Sequence, residues 1–319
     1  MAQQSETLST VNESSDRVQR NAAEQALSRT HLISTPGFYR RAWRRFYRNR
    51  LVMVAFFILV LVILFVLTAG LVSQYVTHKS YQENHLAEKL SPVMKNGYIL
   101  GADNNGRDIL TRLAYGGRVS LLIAILAAAS TLTIGGTIGA IAGFFGGWID
   151  SVLMRLVDVL LSIPTLSLLI LISVLYRPNF WVLALVIASV SWPGVARLIR
   201  GEVLSLRRRD FIDAARVLGG SNGRIIWRHI IPNVVPLVIV WASLVVPGLI
   251  LTEASLSFLG LGVHVPTPSW GNMLEEARES YRQAWTNVFF PGFMIYITVL
   301  ALNIVGNGLR DALDPRLND

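Results

Sequence analysis

The sequence predicts an all-α membrane protein with six membrane-crossing helices, on three observations. Of its 319 residues 52% are hydrophobic and only 15% are charged, with a mean hydropathy of +0.48, more apolar than a soluble domain of this size. Six stretches almost free of charge are each long enough to cross a hydrocarbon core of about 30 Å. The formal net charge of +9 is concentrated in segments between alternate stretches, the positive-inside arrangement. There is no cysteine, which excludes disulfides and thiolate metal sites.

Residues 1–36, rich in Ser, Gln, Glu and Asn, read as a disordered cytoplasmic tail. The run RRAWRRFYRNR, residues 40–50, sets Trp43, Phe46 and Tyr47 among arginines. A nucleic-acid arm has a similar composition, but a hydrophobic span opens at the next residue, so the run reads as an anchor on the cytoplasmic membrane surface. Residues 51–72 carry no charge and rise roughly 33 Å as a helix. A signal peptide begins nearer the terminus, has a shorter apolar region and ends in small residues, so this is an uncleaved span with its N-terminus inside. The polar residues that follow hold the only lysines, Lys79, Lys89 and Lys95, and lie outside by alternation, so that 37–118 comprises an anchor helix and an extracytoplasmic loop.

The core then runs over 119–309. Its first span, 119–148, contains Gly135, Gly139, Gly143 and Gly147 at steps of four, a stripe along which another helix can approach closely. Spans at 156–176 and 180–196 are separated by a turn at Arg177, Pro178 and Asn179. A basic cytoplasmic loop, 197–232, leads to a fifth span at 233–251. An external stretch at 253–286, containing Glu253, Glu275, Glu276 and Glu279, precedes the sixth span, 288–309, and an internal tail, 310–319. About nine Arg and Lys precede the first span, eight fall in the loop after the fourth and two in the last tail, which places both termini inside.

Catalytic chemistry is not apparent. No GxxxxGK[ST] loop occurs and none of the three lysines follows a glycine, so the chain is not itself a P-loop ATPase. His31, His78, His85, His229 and His264 form no HExxH pair; a metal between His78 and His85 is conceivable on proximity alone. Asp103, Asn104, Asn105 and Gly106 faintly resemble a calcium loop, but the glycine comes too early and Ala114 stands where a bidentate Glu is needed. Asp158, early in the third span, suggests either an ion relay on a translocation path or, more simply, an interfacial carboxylate paired with Arg155 at i and i−3. Pro164 in the same span predicts a kink whose freed carbonyls line a cavity or find neighbours.

The segment LSLRRRDFIDAARVLGGSNGRIIWRHIIP, 204–232, organises the rest. Phe211, Ala214, Ala215 and Leu218 fall on one helical face, Gly219 and Gly220 end that helix, and Ser221 N-caps a second one ending before Pro232. The arginines, Arg207, Arg208, Arg209, Arg216, Arg224 and Arg228, mark the segment as cytoplasmic. Three functions compete: a helix docking in a soluble partner's groove, a DNA-reading helix-turn-helix, and an amphipathic loop of a proton-coupled secondary transporter. The second lacks a third helix for its core. The third lacks the additional spans, repeated halves and intramembrane charges that such transporters carry.

At these residues the chain resembles a known family. DAARVLGGSNGRIIWRHIIPN is similar to the EAA loop of ABC-transporter permease subunits, with Asp213 in place of the motif's Glu. LGADNNGRDILTRLAYGGRVSL (100–121), EASLSFLGLGVHVPTPSWGNMLEEAR (253–278) and GNGLRDALDPRL near the end are similar to the C-type permease of the dipeptide, oligopeptide and nickel importers. Ala102 and Asn307 depart from the usual Thr and Asp. The resemblance covers 37–317.

The resemblance implies the type I ABC importer permease fold (ABC transmembrane type-1 domain) in the bacterial or archaeal cytoplasmic membrane. It implies a homologous second permease, one or two ATP-binding subunits carrying ATP and Mg, and an extracytoplasmic binding protein as partners, with no cofactor, metal or nucleic acid bound by this chain. Asp213, Ala214, Ala215 and Gly219, with Arg216, are then expected to form the coupling helix seated on an ATPase subunit. Apart from the resemblance, the proline-rich run VPTPSW suggests Pro266, Pro268 and Trp270 as an outer gate or receptor contact, and Asp158 and Pro164 are candidates for the translocation path. Peptide is the expected cargo, with nickel, glutathione and oligosaccharides as alternatives.

Overall fold

The computed structural model describes residues 38–176 and 179–313. The N-terminal tail, the residues after 313 and two residues of the expected turn, Arg177 and Pro178, lie outside the described residues. Among the described residues the secondary structure is helical apart from two isolated bridges in the first long loop.

Helix α1 (Phe38–Arg48) carries the chain into a compact unit that begins at Phe46. Asn49 caps α2 (Arg50–Leu67), its Oδ1 accepting from Leu51 N at 3.1 Å and Val52 N at 3.3 Å. The chain continues through a short turn (Ala69–Leu71) and wide π-helical turns (Val72–Thr77) that end at His78 with φ 53°. The next long helix, α3 (Ile109–Phe145), begins ten residues before its expected start, because Asp108 Oδ2 accepts from Thr111 N at 2.7 Å and fixes the first turn.

The glycine stripe on α3 is used as expected at three of its four positions. A Cβ on Gly135, Gly139 or Gly143 would lie 2.6, 2.4 or 2.8 Å from the carbonyl oxygens of Trp192, Ala196 and Arg200. Those residues belong to α6 (Phe180–Arg207), which runs parallel to α3 with the two backbones in direct apposition. Gly147 is the exception: with Gly146 it takes positive φ, 57° and 66°, ending α3 and starting the next helix.

The third span departs from expectation. It is two helices, α4 (Gly147–Ser162) and α5 (Thr165–Tyr176), bent by 86°. Pro164 lacks an N–H and forces Ile163 into an extended conformation (φ −91°, ψ 132°), so the ladder is broken outright where a kink was expected. Among the described residues there are thus five helices long and apolar enough to cross a membrane, or six if the bent pair is one span.

The elbow segment, α7 (Asp210–Val217) and α8 (Asn222–Ile225), passes through π-helical turns at Ile226–Ile230 into α9 (Ile231–Phe258). The fifth span therefore extends past residue 251, and Glu253 lies inside it, fully buried, instead of opening the external stretch. A short helix α10 (Trp270–Glu276) returns into the bundle, and α11 (Thr286–Leu313) packs antiparallel to α9 and α2. Gly306 abuts Ser243 on α9, and Gly308 abuts Val52 on α2.

Candidate coupling site

The two ends of the bundle are built differently. At the elbow end, α7 stops in a Schellman closure: Gly219 N donates to Arg216 O and Gly220 N to Ala215 O, both at 2.9 Å. Gly219 supplies the left-handed residue, φ 80°, and nothing within 4 Å would meet a side chain there. Gly220 is required for another reason, since a Cβ would lie 2.7 Å from Ala215 O. Ser221 Oγ then accepts from Arg224 N at 3.4 Å and caps α8.

The inward face of α7 centres on Ile212. Ile212 and Ile225 are buried from the two arms of the elbow and, with half-buried Ala215, pack in a cluster with Phe144, Val195, Ile199, Val203 and Val234. This roots the elbow in α3, α6 and α9 at once. Of the apolar face expected to dock in a groove, Phe211 is 42% exposed, Leu218 87% exposed and Ala214 exposed, while Ala215 is half-buried; Val217 beside them is 87% exposed. The glycine pair turns the chain so that Ile225 of α8 joins Ile212 in one cluster, while the C-terminal turn of α7 projects outward.

Asp213 and Ala214 are exposed, and Asp213 Oδ1 accepts from Arg216 Nη1 at 3.0 Å. Arg208, Arg209, Arg224 and Arg228 stand exposed around the same knob. The expected residues Asp213, Ala214, Ala215, Arg216 and Gly219 are thus brought together on one projecting element. Sequence reading named both Gly219 and Gly220 as the stop but missed Ile212 and Ile225 as the root, and Val217 and Trp227 as exposed apolar surface. The signal for Val217 was its place in the turn just before the glycine pair.

On α4, Asp158 does not pair with Arg155. Its Oδ1 accepts from Arg197 Nη2 of α6 at 2.5 Å, and the side chain is 60% exposed. A second bond in the same seam is bidentate, Arg200 Nε and Nη2 to the two oxygens of Asp150, at 2.5 Å each. The two pairs hold α4 to α6, where the expected intrahelical pair would have held nothing.

At the opposite, cap end, the first long loop is tied to α10 by three buried charges and the half-buried Glu276. Arg107 Nε donates to Asp103 Oδ2 at 2.7 Å, and its Nη2 to Glu276 Oε2 at 2.6 Å. Arg112, 1% exposed, pairs with Asp103 and donates to Glu276 Oε2 at 2.6 Å. The turn that resembled a calcium loop is therefore closed by arginines: Asp103 Oδ1 accepts from Asn105 N and Arg107 N, and Asp103 Oδ2 from the guanidinium groups. Among the described residues no group of three or more His, Asp or Glu could hold a metal.

Beside this network, Tyr98 Oη lies 2.9 Å from Glu88 Oε2 and 2.8 Å from Gly106 O, and burial raises its phenol pKa. Burial also raises the carboxyl pKa of Asp108, against the opposing hydrogen bonds from Thr111. Deeper in, Glu253 accepts from Ser257 Oγ at 2.7 Å and from Ser120 Oγ at 2.9 Å, while Ser120 Oγ accepts from Trp270 N at 3.1 Å. Trp270 is fully buried and its Nε1 donates to Leu113 O at 2.9 Å; Pro268 is buried too. These two therefore anchor the loop from below, and of the three proposed contact residues only Pro266 is exposed, beside Val265.

Five or six apolar helices of membrane-crossing length among the described residues, with a rooted elbow projecting from one end of the bundle and a charge-stapled cap at the other, define a polytopic membrane protein. The chain belongs to the family described as the binding-protein-dependent transport system inner membrane component, whose model matches residues 135–319. Residues 37–92 match the N-terminal transmembrane domain of oligopeptide transport permease C. The chain is 39% identical over 302 residues to the oligopeptide transport system permease protein OppC of Haemophilus influenzae, covering 93% of this chain and 96% of the relative. It is 41% identical over 276 residues to OppC of Escherichia coli K12, 86% and 90% of the two chains. It is 40% identical over 279 residues to the dipeptide transport system permease protein DppC of Alkalihalophilus pseudofirmus, 88% and 90%. The fold is that of the type I ABC permease, and the chain is a permease component of a membrane transport system.

Proposed function

We propose that this chain is one permease half of an ATP-driven importer of short peptides, working by alternating access. Its partners are a homologous second permease, one or two ATP-binding subunits that carry ATP and Mg, and an extracytoplasmic binding protein. The chain is itself no enzyme and binds no cofactor. Both termini and the elbow face the cytoplasm, a reading supported by the arginines of the elbow segment. Peptide as cargo rests on the oligopeptide and dipeptide permeases among its relatives.

The observation that carries the proposal is the exposed Val217–Leu218 ridge on a helix whose other face is locked into three spans. A knob of that kind transmits a push as rigid-body motion, because its root cannot yield independently of α3, α6 and α9. Asp213, Ala214, Ala215, Arg216 and Gly219 are assigned to ATPase coupling: Ala215 through its seat, Gly219 through the elbow angle, the other three at the contact. Val265 and Pro266 are assigned to the receptor-facing tip, with Pro268 and Trp270 as its footing. Asp158 and the Pro164 break are assigned to the wall of the translocation path.

The test is Leu218→Asp in the reconstituted importer. A substitution at so exposed a position changes the bundle's stability by no more than about 0.5 kcal/mol, and peptide uptake is expected to fall at least tenfold while ATP hydrolysis is no longer stimulated by loaded binding protein. Uptake at the parent rate would overturn the assignment.

A further inference from the structure

At the cap end, where α9 finishes and α11 begins, the surface holds an open groove of about 580 Å³, walled by Phe258, Leu274, Tyr281, Trp285 and Phe289, with Arg278 also on its lining. The volume lies in the range of small-molecule sites, about 300 to 1,000 Å³. Its aromatic wall continues down α11: Phe289 and Phe293 stack with ring centroids 5.8 Å apart, and Trp285, Phe289 and Phe293 are all exposed. The groove therefore sits at the junction between two membrane-crossing helices and a polar loop, the depth at which aromatic side chains meet lipid headgroups.

One cation, Arg278, lines the groove, and a second, Arg282, packs on its Tyr281 wall. The Arg278 guanidinium lies 5.3 Å from the centre of the Phe258 ring, and Arg282 lies 5.6 Å from the Tyr281 ring and donates through Nε to Tyr281 Oη at 3.0 Å. Arg278 also borders a separate polar hollow with Glu275, Glu276 and Glu279, yet among the described residues neither Arg278 nor Arg282 is ion-paired to a carboxylate. By contrast Arg107, Arg112, Arg197 and Arg200 each have one. Two guanidinium groups without an ion pair, one lining the trough and one stacked on its Tyr281 wall, match an amphiphile with an anionic head and a hydrocarbon tail, the phosphate meeting the arginines and the first acyl carbons meeting Trp285 and Phe289.

We propose that this groove is a binding site for an anionic phospholipid, which seats the α9–α11 corner in the membrane interface. The experiment reconstitutes the full importer in bilayers containing phosphatidylglycerol or phosphatidylcholine with brominated acyl chains and reads tryptophan quenching. The contribution of Trp285 is taken as the difference between the parent and Trp285→Phe. Quenching by brominated phosphatidylglycerol is expected to exceed that by brominated phosphatidylcholine at equal mole fraction by at least twofold, and Arg278→Gln with Arg282→Gln is expected to abolish the preference without lowering assembly of the importer. Equal quenching by the two lipids would overturn the proposal in favour of a plain lipid-facing surface. Absence of Trp285 quenching by either would overturn it in favour of a face covered by a partner protein.

Discussion

The cap end and the elbow end solve opposite problems with the same residue type. At the cap, Arg107 and Arg112 are buried against Asp103 and Glu276, so the loop and α10 are fixed by partners within the chain. At the elbow, Arg208, Arg209, Arg224 and Arg228 stand in solvent, the one intrahelical pair, Asp213–Arg216, is exposed, and the apolar Val217 and Leu218 are left uncovered. A region that satisfies its own charges and apolar groups holds its shape alone. A region rooted on one face and unsatisfied on the other is complete only against something else. The contrast predicts that substitutions at the cap act through stability, and those at the elbow through transport.

The largest effect is expected from Glu276→Ala. It removes the carboxylate shared by Arg107 and Arg112 and leaves the Arg112 charge buried with half its compensation, a change of about 3–5 kcal/mol. Thermal unfolding of the solubilised protein should show it, with little folded material recovered. Retention of the parent midpoint would mean that the network is ornamental. Next is Gly139→Ala in the α3–α6 seam, where the new methyl would meet Ala196 O at 2.4 Å. The helices must part, at a cost of about 1–3 kcal/mol, read as a lowered midpoint.

Gly219→Ala should cost only about 1 kcal/mol, the penalty of a side chain in the left-handed region. Uptake should nevertheless fall severalfold, because the elbow angle changes. A variant that lost stability in proportion to uptake would erase the distinction between the ends. The smallest effect is a pH dependence. Because burial raises the folded carboxyl pKa of Asp108 above its unfolded value, its contribution favours the fold at acid pH and is lost as pH rises through the raised value. Asp108→Asn keeps an acceptor for Thr111 N, so its unfolding midpoint should fall less than the parent's between the ordinary carboxylate range and neutrality. Identical pH profiles would contradict the assignment.

Much of this architecture was legible in the residues, and where it was not the reason is physical. The stripe Gly135, Gly139, Gly143 announced a close helix contact because its spacing is a property of one helix; that α6 was the partner was not readable, since it depends on which backbone lies opposite. The elbow's glycine stop and Ser221 cap were readable because capping is local. That Ile212 forms its buried root was not readable, since Ile212 and Ile225 come together only after the chain reverses. Glu253 was placed in a loop because a carboxylate inside a span is costly; the hydroxyls of Ser120 and Ser257 that accommodate it lie 133 and 4 residues away, and only the second is near in sequence. Asp158 likewise found Arg197, 39 residues on, over its neighbour Arg155.

The most direct test of a docking elbow uses the chain's lack of cysteine, which makes Leu218→Cys the sole thiol. In the permease pair without ATP-binding subunits, a membrane-impermeant maleimide applied from the elbow side should label this position rapidly. Addition of the ATP-binding subunits should slow labelling at least tenfold, while a control cysteine at Trp148, also exposed, keeps its rate. Undiminished labelling of Leu218→Cys in the assembled importer would contradict the claim that this ridge is where motion enters the bundle.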